Sequence, residues 1–186
     1  MYFAPEDYLN LKDNNNMPDS SSWTFEAWVT PIADVSITTE QQIFFFKRQS
    51  ASNPTFEAFL GTNCKCVTVR INSNTGSAVS SPSVATLDIP MFLGISISQA
   101  GSNTEVIVDF GGQVGTGTVS SETVGTSSGH LTIGGGFDGY ISSVKLYTAG
   151  RTAAEMAAEH KSSGCNSMCG SYCAQDGTCP GVCPAS

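Results

Sequence analysis

Hydrophobic and polar residues alternate along most of this chain. In residues 23–30, Trp23, Phe25, Ala27 and Val29 fall on one side and Thr24, Glu26, Trp28 and Thr30 on the other. Met91, Leu93, Ile95 and Ile97 alternate with Phe92, Gly94, Ser96 and Ser98. Val106, Val108 and Phe110 alternate with Glu105, Ile107 and Asp109. Successive side chains of an extended backbone point to opposite faces, so this pattern predicts strands resting one face on a core. Shorter runs predict strands at 8–11, 43–47, 55–60, 65–71, 117–119, 131–133 and 140–147. Asn-, Gly- and Ser-rich turns at 14–16, 53–54, 74–76, 100–103 and 111–112 separate them. Short strands with such punctuation predict an all-β protein, an antiparallel sandwich of two sheets.

One short C-terminal helix breaks the pattern. Thr152 followed by Glu155 makes a capping box, and 153–160 is rich in good helix formers. His160 falls in the expected last turn, where a cation suits the helix dipole, and Gly164 is expected to stop the helix. From Cys165 the texture changes to C-x3-C-x3-C-x5-C-x3-C with few apolar residues, so disulfides must order that stretch. The division is expected near Ser163: a sandwich over 1–162, then a disulfide-rich connector, or the start of a further module, over 163–186.

Composition narrows the function. Of 186 residues 40% are hydrophobic and 13% charged, with 8 basic against 16 acidic side chains and a net charge of −8. The length suits one domain with a substantial core. The acidic balance argues against nucleic acid or an anionic membrane surface as partner. No apolar run approaches the roughly 20 residues of a membrane span.

Cysteine usage points to export. Met1-Tyr2-Phe3-Ala4-Pro5 lacks a signal peptide's basic start and apolar stretch, yet five of seven cysteines crowd the last 22 residues. The expectation is a segment of a longer secreted chain, extracellular or at a cell surface, with the odd cysteine looking outside it. In a strand, Cys64 and Cys66 would share a face with α-carbons nearly 7 Å apart, at or beyond disulfide reach. At least one bond from this pair to Cys165, Cys169, Cys173, Cys179 or Cys183 is therefore expected.

Several stretches match a known family in order and spacing over about residues 2–160. Ser22-Trp23-Thr24-Phe25-Glu26-Ala27-Trp28-Val29 resembles the opening strand of laminin-G-like jelly rolls of the concanavalin A-like lectin/glucanase superfamily. Leu131-Thr132-Ile133-Gly134-Gly135, followed by Phe137-Asp138-Gly139-Tyr140-Ile141 and on to Tyr147, is similar to that family's closing strands. Residues 105–111 resemble its "lyvdG" hairpin, and Ala153-Ala154-Glu155-Met156 resembles its helix start. The resemblance implies a jelly-roll topology and leaves function open, because the superfamily hosts lectins, adhesion modules, glycanases and structural domains.

Candidate chemistry is sparse. Gly134-Gly135-Gly136-Phe137-Asp138-Gly139 matches G-x-G-x-x-G, but a strand rather than a helix follows it, so it reads as a turn. The family's glycanases carry an E-x-D-x-E strand, and none occurs here; Glu105 and Asp109 share a face with Ile107 between them. His130 and His160 lack metal-site or triad spacing and read as structural or solvated. The resemblance also implies a Ca²⁺ held by a carboxylate and backbone carbonyls, for which Asp138 is the candidate ligand beside its plainer reading as a turn residue. Polar loops at 14–16, 20–22, 50–53, 72–83 and 120–128 suit weak sugar recognition, with Tyr2, Phe3 and Tyr8 as candidate stacking platforms; they equally suit an inert surface.

The expectation is thus a non-enzymatic extracellular module for adhesion or structural assembly, its partners other extracellular modules or copies of itself. A weakly charged, hydroxyl-rich surface packs against its own copies with little repulsion. A carbohydrate-binding module, with or without calcium, is the alternative, and a glycan hydrolase the remote one.

Overall fold

Twelve strands and one helix arise from this pattern in a computed structural model that describes residues 1–4, 6–11, 22–32, 42–50, 53–61, 65–71, 78–119 and 131–168. The strands are β1 (Tyr2–Phe3), β2 (Tyr8–Leu11), β3 (Ser22–Pro31), β4 (Gln42–Ser50), β5 (Asn53–Leu60), β6 (Cys66–Ile71), β7 (Ala78–Val84), β8 (Met91–Ala100), β9 (Asn103–Phe110), β10 (Gln113–Val119), β11 (Leu131–Gly134) and β12 (Gly139–Tyr147). The helix is α1 (Ala153–Met168). The chain passes repeatedly between two six-stranded sheets, ordered β1-β12-β3-β8-β9-β10 and β2-β11-β4-β5-β6-β7. All the pairings are antiparallel, giving the expected jelly-roll sandwich.

Alternation decides what lies between the sheets. Trp23, Phe25, Ala27 and Val29 of β3, Leu93, Ile95 and Ile97 of β8, and Val106, Val108 and Phe110 of β9 are buried in one cluster with Phe56, Ala58 and Leu60 of β5 and Val67, Val69 and Ile71 of β6. Trp23 meets Phe56 across the sandwich with ring centroids 4.5 Å apart. Burying each large side chain stabilises the fold by about 1.5–3 kcal/mol. Gly115 closes one side: a Cβ there would lie 2.3 Å from the Ser80 carbonyl oxygen, so glycine lets β10 pack over β7.

The structure corrects three local expectations. The polar stretch 72–83 contains β7, whose Ser-rich sequence hid it. Because β7 edges its sheet and its register with β6 shifts between Cys66 and Thr68, Pro82 is tolerated there. Gly164 does not stop the helix, which runs on to Met168. His160 is consequently mid-helix rather than in the last turn. The outer face of β3 is buried too, since Thr24, Glu26 and Trp28 are at most 4% exposed. Residues 149–163 cover them: Thr24 Oγ1 donates to the Ala149 carbonyl, the Arg151 amide donates to Thr24 Oγ1, and Trp28 Nε1 donates to Ser163 Oγ.

Candidate functional site

The exposed chemistry gathers where the first short strand, β1, meets the closing strand, β12. β1 pairs with β12 in the register Tyr2↔Tyr140 and Phe3↔Gly139. Directly opposed side chains on an antiparallel pair point the same way, so the two tyrosines stand side by side. Their ring centroids are 5.4 Å apart at 53°, and each residue is about half exposed, 48% and 51%. The Tyr2 hydroxyl donates to Asp138 Oδ1 at 3.2 Å. Partial burial, then the carboxylates of Asp138 and Asp7, hold the Tyr2 phenol above its usual range.

Backbone bonds fix the frame. The Ile32 amide donates to the Asp138 carbonyl, anchoring the turn that presents the carboxylate. The Gly135 amide donates to the Asp7 carbonyl, while Asp7 Oδ2 accepts the Ala4 amide and the Asp7 amide donates to the Ala4 carbonyl. Gly134, opposite Tyr8 in the β2–β11 register, has φ 83°, and a Cβ there would lie 2.7 Å from Phe3 Cδ1. The glycine run is therefore the turn expected from its sequence.

Two of the expected site residues come together here. Tyr2 and Asp138 touch, and Tyr8 is 61% exposed on the adjoining β2. Phe3 is corrected from platform to core: period two turns it away from Tyr2, and it is 4% exposed inside the sandwich. Tyr140 completes the pair and escaped the sequence reading; its signal was the aromatic residue two places after the carboxylate. Among the described residues no three His, Cys, Asp or Glu side chains come together around Asp138. One Asp138 oxygen is already taken up by Tyr2.

Of the cysteines, Cys66 is buried and disulfide-bonded. Cys64, Cys169, Cys173, Cys179, Cys183 and the Cys165 side chain lie outside the described residues, as does His130. The expectation that Cys64 and Cys66 share a strand falls on Cys64, outside the described residues. β6 begins at Cys66, Lys65 has φ 50°, and the Gly61 amide bonds to the Cys66 carbonyl while the Lys65 amide bonds to the Gly61 carbonyl. Cys66 thus opens β6 directly after a left-handed Lys65 held to Gly61.

His160 takes a structural place. It lies partly buried beneath α1, stacked on Phe92 with centroids 5.0 Å apart at 7° and edge-on to Trp28 at 5.3 Å. Burial, then the neighbouring Lys161 charge, lowers its pKa. Asp109, at 0% exposure under the same helix, was visible in the sequence only as an acid in an apolar strand.

Comparison with known proteins places this geometry in context. A horseshoe crab (Limulus polyphemus) pentraxin described as SAP-like and heptameric matches with a TM-score of 0.51 at 10% identity, covering 74% of this chain and 68% of that one. The binding domain of botulinum neurotoxin serotype D matches with a TM-score of 0.60 at 8% identity, covering 87% and 41%. A Bacteroides ovatus protein assigned to carbohydrate binding matches with a TM-score of 0.53 at 13% identity, covering 81% and 43%. The chain thus spans about two fifths of the length of the latter two, and at these identities the likeness is one of fold. A search of the curated proteins found no match. The family model of the concanavalin A-like lectin/glucanases superfamily matches residues 3–157, and the chain belongs to that family.

Proposed function

We propose that this domain is a non-enzymatic, extracellular carbohydrate-binding module whose platform is the Tyr2–Tyr140 pair with Asp138 beside it. The observation that carries the reading is two half-exposed rings, side by side, with a carboxylate hydrogen-bonded to one of them. The C–H faces of a pyranose pack against such rings, and a carboxylate oxygen accepts sugar hydroxyls, so apolar and polar recognition sit together. The net charge of −8 favours neutral over sulfated or sialylated glycans. The resemblance in fold to the Bacteroides ovatus protein supports the same reading. Calorimetric titration with neutral oligosaccharides tests it: Tyr140→Ala is expected to abolish measurable binding and leave the fold intact. Equal binding by wild type and variant would remove this site from consideration, and loss of binding in EDTA would reinstate calcium.

A role in adhesion or assembly through copies of itself is the second reading. It is supported by Tyr8 and Leu9 on β2, both exposed on a strand that edges its sheet. In either reading residues 163–186 serve as a disulfide-rich connector, cross-linked to the sandwich through Cys64 or Cys66. Cleavage without reduction followed by mass spectrometry would assign those pairs. No helix among the described residues is long and apolar enough to cross a membrane.

A further inference from the structure

Helix α1 rests on the outer face of the first sheet above a buried carboxyl group with a vacant acceptor. Met156 is 0% exposed and joins Trp28 and Phe92 in a small cluster separate from the main core. A Cβ on Gly94 would lie 3.0 Å from Met156 Sδ and 3.6 Å from Asp109 Cβ, so the helix sits directly over this row of the sheet. Asp109 Oδ1 accepts the Gly112 amide at 3.0 Å. Its Oδ2, fully buried, has no hydrogen-bond partner among the described residues. One turn of helix further, the His160 ring closes the seat: a Cβ on Gly112 would lie 3.2 Å from His160 Cε1.

We propose that α1 is an acid-strengthened latch, seated tightly while Asp109 is protonated and loosened when it ionises. A protonated carboxyl is a neutral group that fits an apolar seat, whereas the anion would leave an uncompensated charge and an unbonded oxygen under the helix. Burial pushes Asp109 up to about 6, and the Gly112 amide offsets this only in part. Its folded pKa exceeds its unfolded value, so its support for the seat is complete below about pH 4 and is lost as pH rises through about 6.

The other charged groups around the seat set the slope. From α1, His160 faces it, with Glu159 and Lys161 beside that ring on the helix. From β3, Glu26 lies across Gly94 and is paired with Arg151. Glu105, on the same side of β9, is exposed, and β8 and β10 carry no ionisable residue. His160 acts in the opposite sense: its pKa is lowered, so its contribution is lost as pH falls below its ordinary range. Asp109 is wholly buried and His160 only partly, so the carboxyl dominates. Because α1 leads into residues 169–186, opening of the latch changes how that connector is presented and uncovers Trp28, Phe92 and Met156.

Hydrogen–deuterium exchange of the α1 amides in the intact chain, corrected for intrinsic rates, tests the latch. Wild type is expected to open about tenfold more often at about pH 7.5 than at about pH 5. His160→Phe, which keeps the stacking and removes the opposing titration, should steepen that ratio, and Asp109→Asn should flatten or reverse it. Asp109→Leu supplies the same comparison should the asparagine variant fold poorly. In wild type the infrared band of the protonated carboxyl should also disappear with a midpoint near pH 6. Equal α1 opening at both pH values in wild type, or a tenfold ratio retained without Asp109, would overturn the proposal.

Discussion

Two carboxylates flank Gly94 beneath α1, and only one of them has a full cation. Glu26 on β3 and Asp109 on β9 each stand in register with that glycine, and both are at most 1% exposed. Glu26 Oε1 receives the Arg151 guanidinium at 2.7 Å, and the same guanidinium donates to the Glu155 carbonyl and lies 4.5 Å over the Tyr147 ring. Lys145 pairs with Glu159 on the neighbouring turn of the helix. Burial raises the Glu26 pKa while Arg151 and the Tyr147 hydroxyl pull it back. Among the described residues Asp109 has the Gly112 amide alone. The start of α1 is therefore pinned by an ion pair that offsets the burial of Glu26 in part, and its middle by a carboxyl group with no cation paired to it among those residues.

Abolishing the balance at the Glu26 end makes the two ends alike and carries the largest cost. Arg151→Met leaves Glu26 buried without its cation and should destabilise the domain by about 3–5 kcal/mol, read by denaturant unfolding. Asp109→Asn works in the other direction. Holding the carboxyl at about 6 rather than 3.8, with the Gly112 amide already offsetting part of the burial, costs the native state about 2–3 kcal/mol at neutral pH. The variant should gain stability at pH 7 and none at pH 4, and a gain at both would attribute the effect to packing rather than ionisation. Trp28→Phe keeps the contacts with Phe92 and His160 but loses the indole bond to Ser163 Oγ, 3.1 Å long, and should cost about 1 kcal/mol.

The same contrast explains what the sequence disclosed. Inward-facing positions of β3, β8 and β9 were legible because a core imposes strict alternation on any strand that lines it. The outer face of β3 was not legible: Thr24, Glu26 and Trp28 read as a solvent side, yet residues 149–163 bury them through contacts between positions more than a hundred apart in sequence. The capping box was read correctly, with the Glu155 amide donating to Thr152 Oγ1 and the Thr152 amide to Glu155 Oε2. The far end of α1 was misread because a glycine that breaks an isolated helix is tolerated when tertiary contacts hold it. At the candidate site, Tyr2 and Asp138 were found by residue type, whereas Tyr140 required the β1–β12 register and Phe3 was lost to it.

At the corner around Tyr2 the rings are half exposed, and there the smallest structural effect should accompany a clear functional one. Tyr140 is half exposed, and its ring contact is with Tyr2, itself half exposed. Removing such a ring changes stability by no more than about 0.5 kcal/mol, since little buried area is lost and no buried polar group is orphaned. A pyranose stacked across both rings would lose half its apolar contact, worth about 1.4 kcal/mol or tenfold in affinity. Tyr140→Ala should therefore leave the unfolding midpoint nearly unchanged while weakening neutral-glycan titration to the limit of detection. Asp138→Asn, which keeps an acceptor for the Tyr2 hydroxyl and removes the charge, should weaken it less. A substantial loss of stability in the Tyr140 variant would mean that the corner is a structural clasp between β1 and β12 rather than a surface kept open for a ligand.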